Sequence, residues 1–437
     1  MSSSVENLEK NNDDDDYNPF EHRKIKKPNT TIGSFIHMIK GSLGTGIMAM
    51  PLAFKNGGLI FGSIGTVVIC VLYAHFVHLL VHTSQKASKR SQVPMLGFSA
   101  TAKDVFGKGP PSLRLYTSYA SGFIDSMMVI DGFLTACLYI VFIAKSLQDV
   151  LYNQLQLDWD TRVYILLLLV PLLVIIQVRK LKHLVPFTAI ASGLIISAVG
   201  ISLFFIFTAK IDLSSKSMWP EWMNLPSFVS TVLFAISGIN TVLPVENNMK
   251  HPEHFLRPFG VMQTAFGCLT VLYGVTGFFG YAQFGNATKA SITLNLPSDN
   301  GWAQTTRLIS AMGVLVALGF SLYVPLEILW PRIESRLSPK RQNCAQIGMR
   351  SMFALAMVLT ALVVPEIEPF IGLLGSFSTA SLSILFPVSL DMIFRWPNGF
   401  GRCRWHLVKD VVLWVFGLFV LIFGTYFSIM DIVEIYK

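Results

Sequence analysis

The stretch His37-Met38-Ile39-Lys40-Gly41-Ser42-Leu43-Gly44-Thr45-Gly46 sets an imidazole, an ammonium and three glycines inside an otherwise apolar run. Glycines this dense, with Ser42 and Thr45 between them, weaken a helix near mid-membrane. Irregular backbone is tolerated there only where protein buries it or it lines a watery cavity. A break leaves the amides of Leu43, Gly44, Thr45 and Gly46 at the positive end of a second half-helix, suited to a carboxylate. Close packing through small residues is the structural alternative, and Gly41-x-x-Gly44 alone fits both. A second interruption favours the first reading: the run from Phe234 to Glu246 is punctuated by Gly238, Asn240 and Pro244. Carbonyls freed from Ile236 to Gly238, with Phe234 and Ser237 beside them, can accept from an ammonium. An α-amino acid zwitterion fits this pair of dipoles. Interrupted spans at matching places in two halves point to a binding site between inverted repeats.

Ionisable groups inside a span cost about 2.5 kcal/mol or more each when unpaired, so each is a functional suspect. His37 lies one turn before Gly41, and an imidazole can take and release a proton as a pocket changes exposure; its structural alternative is a neutral ring tied to a backbone carbonyl. Asp125 and Asp131 share one apolar run, but six residues separate them on different helix faces. Asp131, the deeper, can bind an ammonium, carry a proton or pair with a neighbouring donor. Glu246 and Glu327 read as gate or packing residues, with Lys40 a partner for either. His75, His78 and His82 share one helix face without a local carboxylate or Cys, so no metal or cofactor is expected. Gly41-x-x-Gly44-x-Gly46 is not a dinucleotide fingerprint, because no strand precedes it. No covalent chemistry is implied, and an enzyme is not expected.

The elements that must position these groups follow from composition. Of 437 residues, 52% are hydrophobic and 14% charged, and the mean hydropathy is +0.54. That leaves too little polar surface for a soluble chain. The expectation is an all-α polytopic membrane protein of eleven transmembrane helices. Their approximate bounds are Ile36 to Phe54, Leu59 to Val81, Gly122 to Ile143, Val163 to Val178, Leu184 to Phe207, Phe228 to Val245, Phe259 to Tyr281, Leu308 to Trp330, Ala345 to Val364, Phe370 to Ile393 and Val411 to Met430. They group as a disordered cytoplasmic tail (1–33, with the acidic run Asp13 to Asp16), a first five-helix repeat (34–208), a second (226–393) and an eleventh span (409–431). With the N-terminus inside, one side collects most of the 34 Lys and Arg. The other holds only Lys55, Arg162, Lys210, Lys216, Lys289 and Lys437 outside the spans. By the positive-inside rule the N-terminus is cytoplasmic and the C-terminus extracellular or lumenal. The formal charge of +8 thus reflects insertion, and no nucleic-acid partner is expected. Asn286-Ala287-Thr288 then faces outward as a glycosylation sequon.

Four ordered strings sharpen the reading: Ile36 to Gly41 with Gly44-Thr45-Gly46 and Met50-Pro51-Leu52-Ala53; Val242-Leu243-Pro244-Val245-Glu246-Asn247; Phe284-Gly285 with Ser291 to Pro297; and Tyr323-Val324-Pro325-Leu326-Glu327. From about Asn29 to the last span the chain resembles the proton-coupled amino acid transporters of the amino acid/auxin permease group. The resemblance implies the leucine-transporter architecture, a 5+5 inverted repeat plus one extra span. It also implies symport of small neutral amino acids with a proton toward the cytoplasm, and His37 as a proton-responsive position. Residence in the plasma membrane or in endosomal or lysosomal membranes is implied too, with nutrient-signalling partners through the tail. Two departures stand out. Asp131-Gly132 replaces a frequent Thr-Gln pair, and Ser298-Asp299 stand where some animal members have a disulfide cysteine. The rivals are an amino acid sensor with little net flux and a sodium-coupled symporter.

Overall fold

The structure, a computed structural model, describes residues 17–179, 181–401 and 404–437. The acidic run Asp13 to Asp16 lies outside the described residues, as do Lys180, Arg402 and Cys403. Among the described residues the chain is helical without any sheet; one isolated parallel bridge joins Asn29 to Met249.

Nine described helical stretches are long and apolar enough to cross a membrane. Two expected spans fall outside that set. The first is divided into α1 (Thr31–Ser42) and α2 (Gly46–Gly57), 12 residues each. The fourth is the shorter apolar stretch Thr161–Ile175. The other elements that carry the site are α3 (Leu59–Arg90), α4 (Thr117–Leu155), α5 (Leu181–Thr208), α6 (Leu225–Ile236), α7 (Ile239–Asn247), α8 (Val261–Phe284) and α9 (Tyr323–Glu334).

Local chemistry explains both breaks. The Thr30 hydroxyl caps α1 by accepting from the Gly33 amide at 3.0 Å, and α1 stops where Leu43 turns out of helical backbone at ψ 77°. Helical backbone resumes at Thr45 (φ −63°, ψ −18°), the residue that opens α2, so the turn between the two helices is short. In the second break Ser237 is extended (φ −57°, ψ 142°) and ends α6, while Gly238 opens α7.

The broken helices lie at the centre of the bundle. Every residue from Gly46 to Phe54 is buried, and α2 runs against α6 so tightly that a Cβ on Gly46 would lie 2.5 Å from the Ala235 Cα. In a membrane, helix association rests on such close backbone approach rather than on a hydrophobic drive. Ile367–Arg395 also belongs to the centre, with 72% of its apolar window buried against 22% for the peripheral Trp405–Glu434. The sequence predicts a continuous span there, whereas Leu374–Leu385 is wound as a π-helix. A Cβ on Gly375 would come within 1.8 Å of the Ser230 carbonyl oxygen, so only glycine fits. Widened turns of this kind recur at functional sites.

Candidate functional site

Two tyrosines fasten the breaks. From α8, the Tyr273 hydroxyl donates to the Ser42 carbonyl at 2.6 Å, satisfying the C-terminal end of α1. From α3, the Tyr73 hydroxyl accepts from the Gly238 amide at 3.1 Å at the start of α7. The Gly238 carbonyl in turn accepts from the amide and hydroxyl of Thr241, at 2.9 and 2.8 Å.

These bonds decide which backbone groups are left for a ligand. Leu43 donates to the Ile39 carbonyl at 2.7 Å and Gly44 to the Ser42 carbonyl at 3.0 Å. Two of the four amides expected to be free are therefore spent locally, because the turn is short enough to close on itself. Among the described residues, the amides of Thr45, Gly46 and Ile47 have no backbone acceptor, and the carbonyls of Ala235, Ile236 and Ser237 have no backbone donor. Gly46 and Ala235 hold these two sets against each other. The positive end of α2 thus adjoins the negative end of α6, which is the polarity a zwitterion requires.

Asp131, on α4, joins this centre. Its Oδ2 accepts from Asn240 Nδ2 at 3.0 Å, and its Oδ1 accepts from the Ser378 hydroxyl of the π-helical turn. Both donors are neutral, and among the described residues no Lys, Arg or His forms an ion pair with it. Further along α4, the Tyr139 hydroxyl faces the first break, 3.8 Å from where a Cβ on Gly44 would lie. Thr45 and Phe234 line a cavity of about 10 Å³ together with Ala290 and Ile367, room for about one water.

The two ends of the molecule differ. On the face that holds Asn29, Arg23 donates to both Glu246 carboxylate oxygens (3.0 and 3.3 Å), to the Glu246 carbonyl (3.1 Å) and to the Pro94 carbonyl (3.0 Å). Gln85 adds a bond to Glu246 at 2.8 Å. Nearby, the Asn29 amide donates to the Asn248 carbonyl and the Lys250 amide to the Asn29 carbonyl, each at 2.8 Å. Arg23 and Asn29, in the arm expected to be disordered, thus fasten it over the ends of α3 and α7. At the opposite end lies a cavity of about 400 Å³ lined by Lys55, Lys145, Asp149, Lys289, Glu366 and Glu368 among others. Ala290 and Ile367 line both cavities, so the floor of the large one roofs the small one.

A family profile described as "Transmembrane amino acid transporter protein" matches residues 27–430. The chain belongs to this family. A fly relative, "Proton-coupled amino acid transporter-like protein pathetic" of Drosophila melanogaster, is 33% identical over 422 residues, covering 97% of this chain and 89% of the relative. "Probable amino acid transporter skat-1" of Caenorhabditis elegans is 26% identical over 427 residues, covering 93% and 90%. The fold is similar to that of MHP1, a nucleobase-cation-symport-1 family transporter solved in a closed conformation with bromovinylhydantoin bound. The TM-score is 0.51 at 9% identity, covering 95% of this chain and 94% of that one. Such distance speaks for the fold alone. The protein is an integral membrane amino acid transporter.

In this transporter, Ser42, Thr45, Gly46, Phe234, Ser237, Gly238 and Asp131 converge on the breaks, with Leu43 buried and Gly44 facing the Tyr139 hydroxyl. His37 does not join them. It is exposed on α1, whose buried face carries Ser34, Met38 and Ser42. Lys40 bonds the Thr188 hydroxyl on α5 at 2.8 Å instead of either carboxylate. Glu246 finds Arg23, and Glu327 is exposed on α9. Asp125 pairs with Arg332 at 3.1 Å, away from Asp131. His75 meets Lys409 at 3.2 Å, while His78 and His82 stack on each other. Asn286 is exposed at the rim of the large cavity. Sequence reasoning missed Tyr73, Tyr139, Tyr273, Ser378 and Arg23. The signals were there: tyrosines within apolar spans, and the serine-rich run Ser376 to Ser383.

Proposed function

We propose that this chain is a symporter that moves a small neutral amino acid together with a proton toward the face that holds Arg23 and Glu246. The observation that carries the proposal is Asp131. It is a carboxyl at the centre of the bundle that neutral donors alone hold, tied through Asn240 to the first turn after the second break. Such a group can take up a proton without breaking an ion pair. The amides of Thr45, Gly46 and Ile47 bind the substrate carboxylate, and the carbonyls of Ala235 to Ser237 bind its ammonium.

A 5+5 inverted repeat within eleven spans is supported by the tyrosine contacts. Such a repeat equates the first span with the sixth and the second with the seventh. Tyr73 of the second span fastens the break of the sixth, and Tyr273 of the seventh fastens the break of the first. The distribution of basic residues supports a cytoplasmic N-terminal face, with a glycan on Asn286 marking the other side. Arg23 and Glu246 then form the cytoplasmic closure.

Uptake of radiolabelled glycine and alanine into proteoliposomes, with an inward proton gradient or an inward sodium gradient, tests the reading. Accumulation above equilibrium under the proton gradient alone is expected. Accumulation that requires sodium and ignores pH would remove the proton from the mechanism, and binding without accumulation would turn the protein into a sensor.

A further inference from the structure

Asn240 holds Asp131 through its amide nitrogen, yet the other half of the same amide is unsatisfied: Asn240 Oδ1 is buried without a hydrogen-bond partner. A buried acceptor left alone is costly, because it gives up its bonds to water and gains none in return. An amide that accepts this cost at the centre of the transporter suggests a donor that comes and goes.

A protonated Asp131 would supply that donor. An ionised carboxylate only accepts, whereas a protonated one presents an O–H. The two ends of an asparagine amide have nearly the same size, so a half-turn about its terminal bond exchanges nitrogen for oxygen without repacking its neighbours. We propose that Asn240 reads the protonation state of Asp131: it donates from Nδ2 to the carboxylate and accepts at Oδ1 from the acid. The proton that arrives stays on the Asp131 carboxyl oxygen, and no other bond is made or broken. The inference rests on the proton-coupling role proposed for Asp131 and supplies its mechanical output. Asn240 lies in the first turn of α7, two residues past Gly238 and beside the carbonyls proposed to bind the ammonium. An amide that turns there reorients the dipole facing the substrate.

The surroundings leave Asp131 and Asn240 to each other. Ser378 from the π-helical turn, Tyr73 from α3 and Tyr139 from α4 face Asp131. Four basic residues on α4 and the helices packed around it bond elsewhere. Arg332 pairs with Asp125 and Lys145 with Glu366. Arg307 donates to the carbonyls of Thr293 and Leu296, and Arg350 to those of Ile176 and Val178.

Infrared difference spectra of the full chain in lipid, between neutral and acidic pH, read the two groups separately. With isotope-labelled asparagine, acidification is expected to raise a carboxylic C=O band that Asp131→Asn abolishes, and to lower the frequency of an amide C=O band that Asn240→Leu abolishes. A titrating Asp131 band with no amide shift overturns the swap while leaving Asp131 as the proton site. No Asp131 band at all overturns the parent reading. Transport gives a second test. Asn240→Leu removes the partner of both protonation states, so the pH of half-maximal uptake should stay nearly constant while maximal uptake falls about tenfold. A donor serving only the carboxylate would instead move the half-maximal pH by about one unit, tenfold in proton affinity, and that result would also overturn the swap.

Discussion

The two faces of the transporter use charge in opposite ways. At the N-terminal face, Arg23 and Glu246 pair with side chains 3% and 2% exposed, and the guanidinium is further satisfied by two backbone carbonyls. Around the large cavity opposite, Lys145 and Glu366 pair at 22% and 46% exposure, and Lys289 stands 3.9 Å from Asp149. Exposed pairs contribute about 0–1 kcal/mol and re-form readily in water. Breaking a buried pair by removing one partner costs about 3–5 kcal/mol, because the remaining charge stays out of water. The same chemistry therefore makes a seal at the end that holds Arg23 and Glu246 and a wet rim at the other. In the proposed direction of transport the seal must open, releasing Arg23 and Asn29 from the ends of α3 and α7.

The largest change to this asymmetry is expected from Glu246→Ala. It strands the Arg23 guanidinium and should weaken the seal by about 3 kcal/mol, close to a 100-fold rise in open population. Hydrogen exchange at the Asn29 and Lys250 amides, which bond across the seam, should quicken by that order while exchange within α8 stays constant. An unchanged rate would show that the ion pair does not hold the face closed.

A smaller effect is expected at the centre. Gly46→Ala puts a Cβ 2.5 Å from the Ala235 Cα, whereas the nearest atom to a Cβ on Gly44 is the Tyr139 hydroxyl at 3.8 Å. Overpacking of this kind costs about 1–3 kcal/mol. Substrate affinity should therefore fall about tenfold or more in Gly46→Ala and hardly change in Gly44→Ala, as measured by binding to purified protein. Equal losses would mean that the α2–α6 contact does not shape the site.

Smallest of all should be Lys145→Ala at the rim. Thermal stability and substrate affinity should move by less than about 1 kcal/mol, with the difference shrinking as salt is added. A loss as large as that of Glu246→Ala would erase the distinction between the two faces.

Much of this arrangement is legible in the amino-acid sequence. Glycine density at Gly41 to Gly46 and the Gly238, Asn240 and Pro244 punctuation mark breaks, because irregular backbone at membrane depth must be buried in protein or line a cavity. Asp131 stands out because an acid in an apolar span is costly. What escapes such reading depends on partners distant in sequence. Arg23 lies in a polar tail, and nothing local connects it to a carboxylate 223 residues away. Tyr73 and Tyr273 look like core aromatics until the carbonyl or amide they bond is known. Position along α1 sets His37 beside the break, but helical geometry turns it about 100° from Met38 and off the buried face. The free amides move from Leu43 and Gly44 toward Ile47 because so short a turn closes its own first bonds.

The most direct test concerns Asp131. Proteoliposomes carrying the wild-type chain or Asp131→Asn are loaded with unlabelled alanine and given labelled alanine outside, with and without an inward proton gradient. The wild type should concentrate label when the gradient is imposed and lose that gain with a protonophore. Asp131→Asn should still exchange label at equal concentrations but fail to concentrate it at any pH. If Asp131→Asn concentrates alanine under the proton gradient as well as the wild type does, the coupling carboxyl is not Asp131.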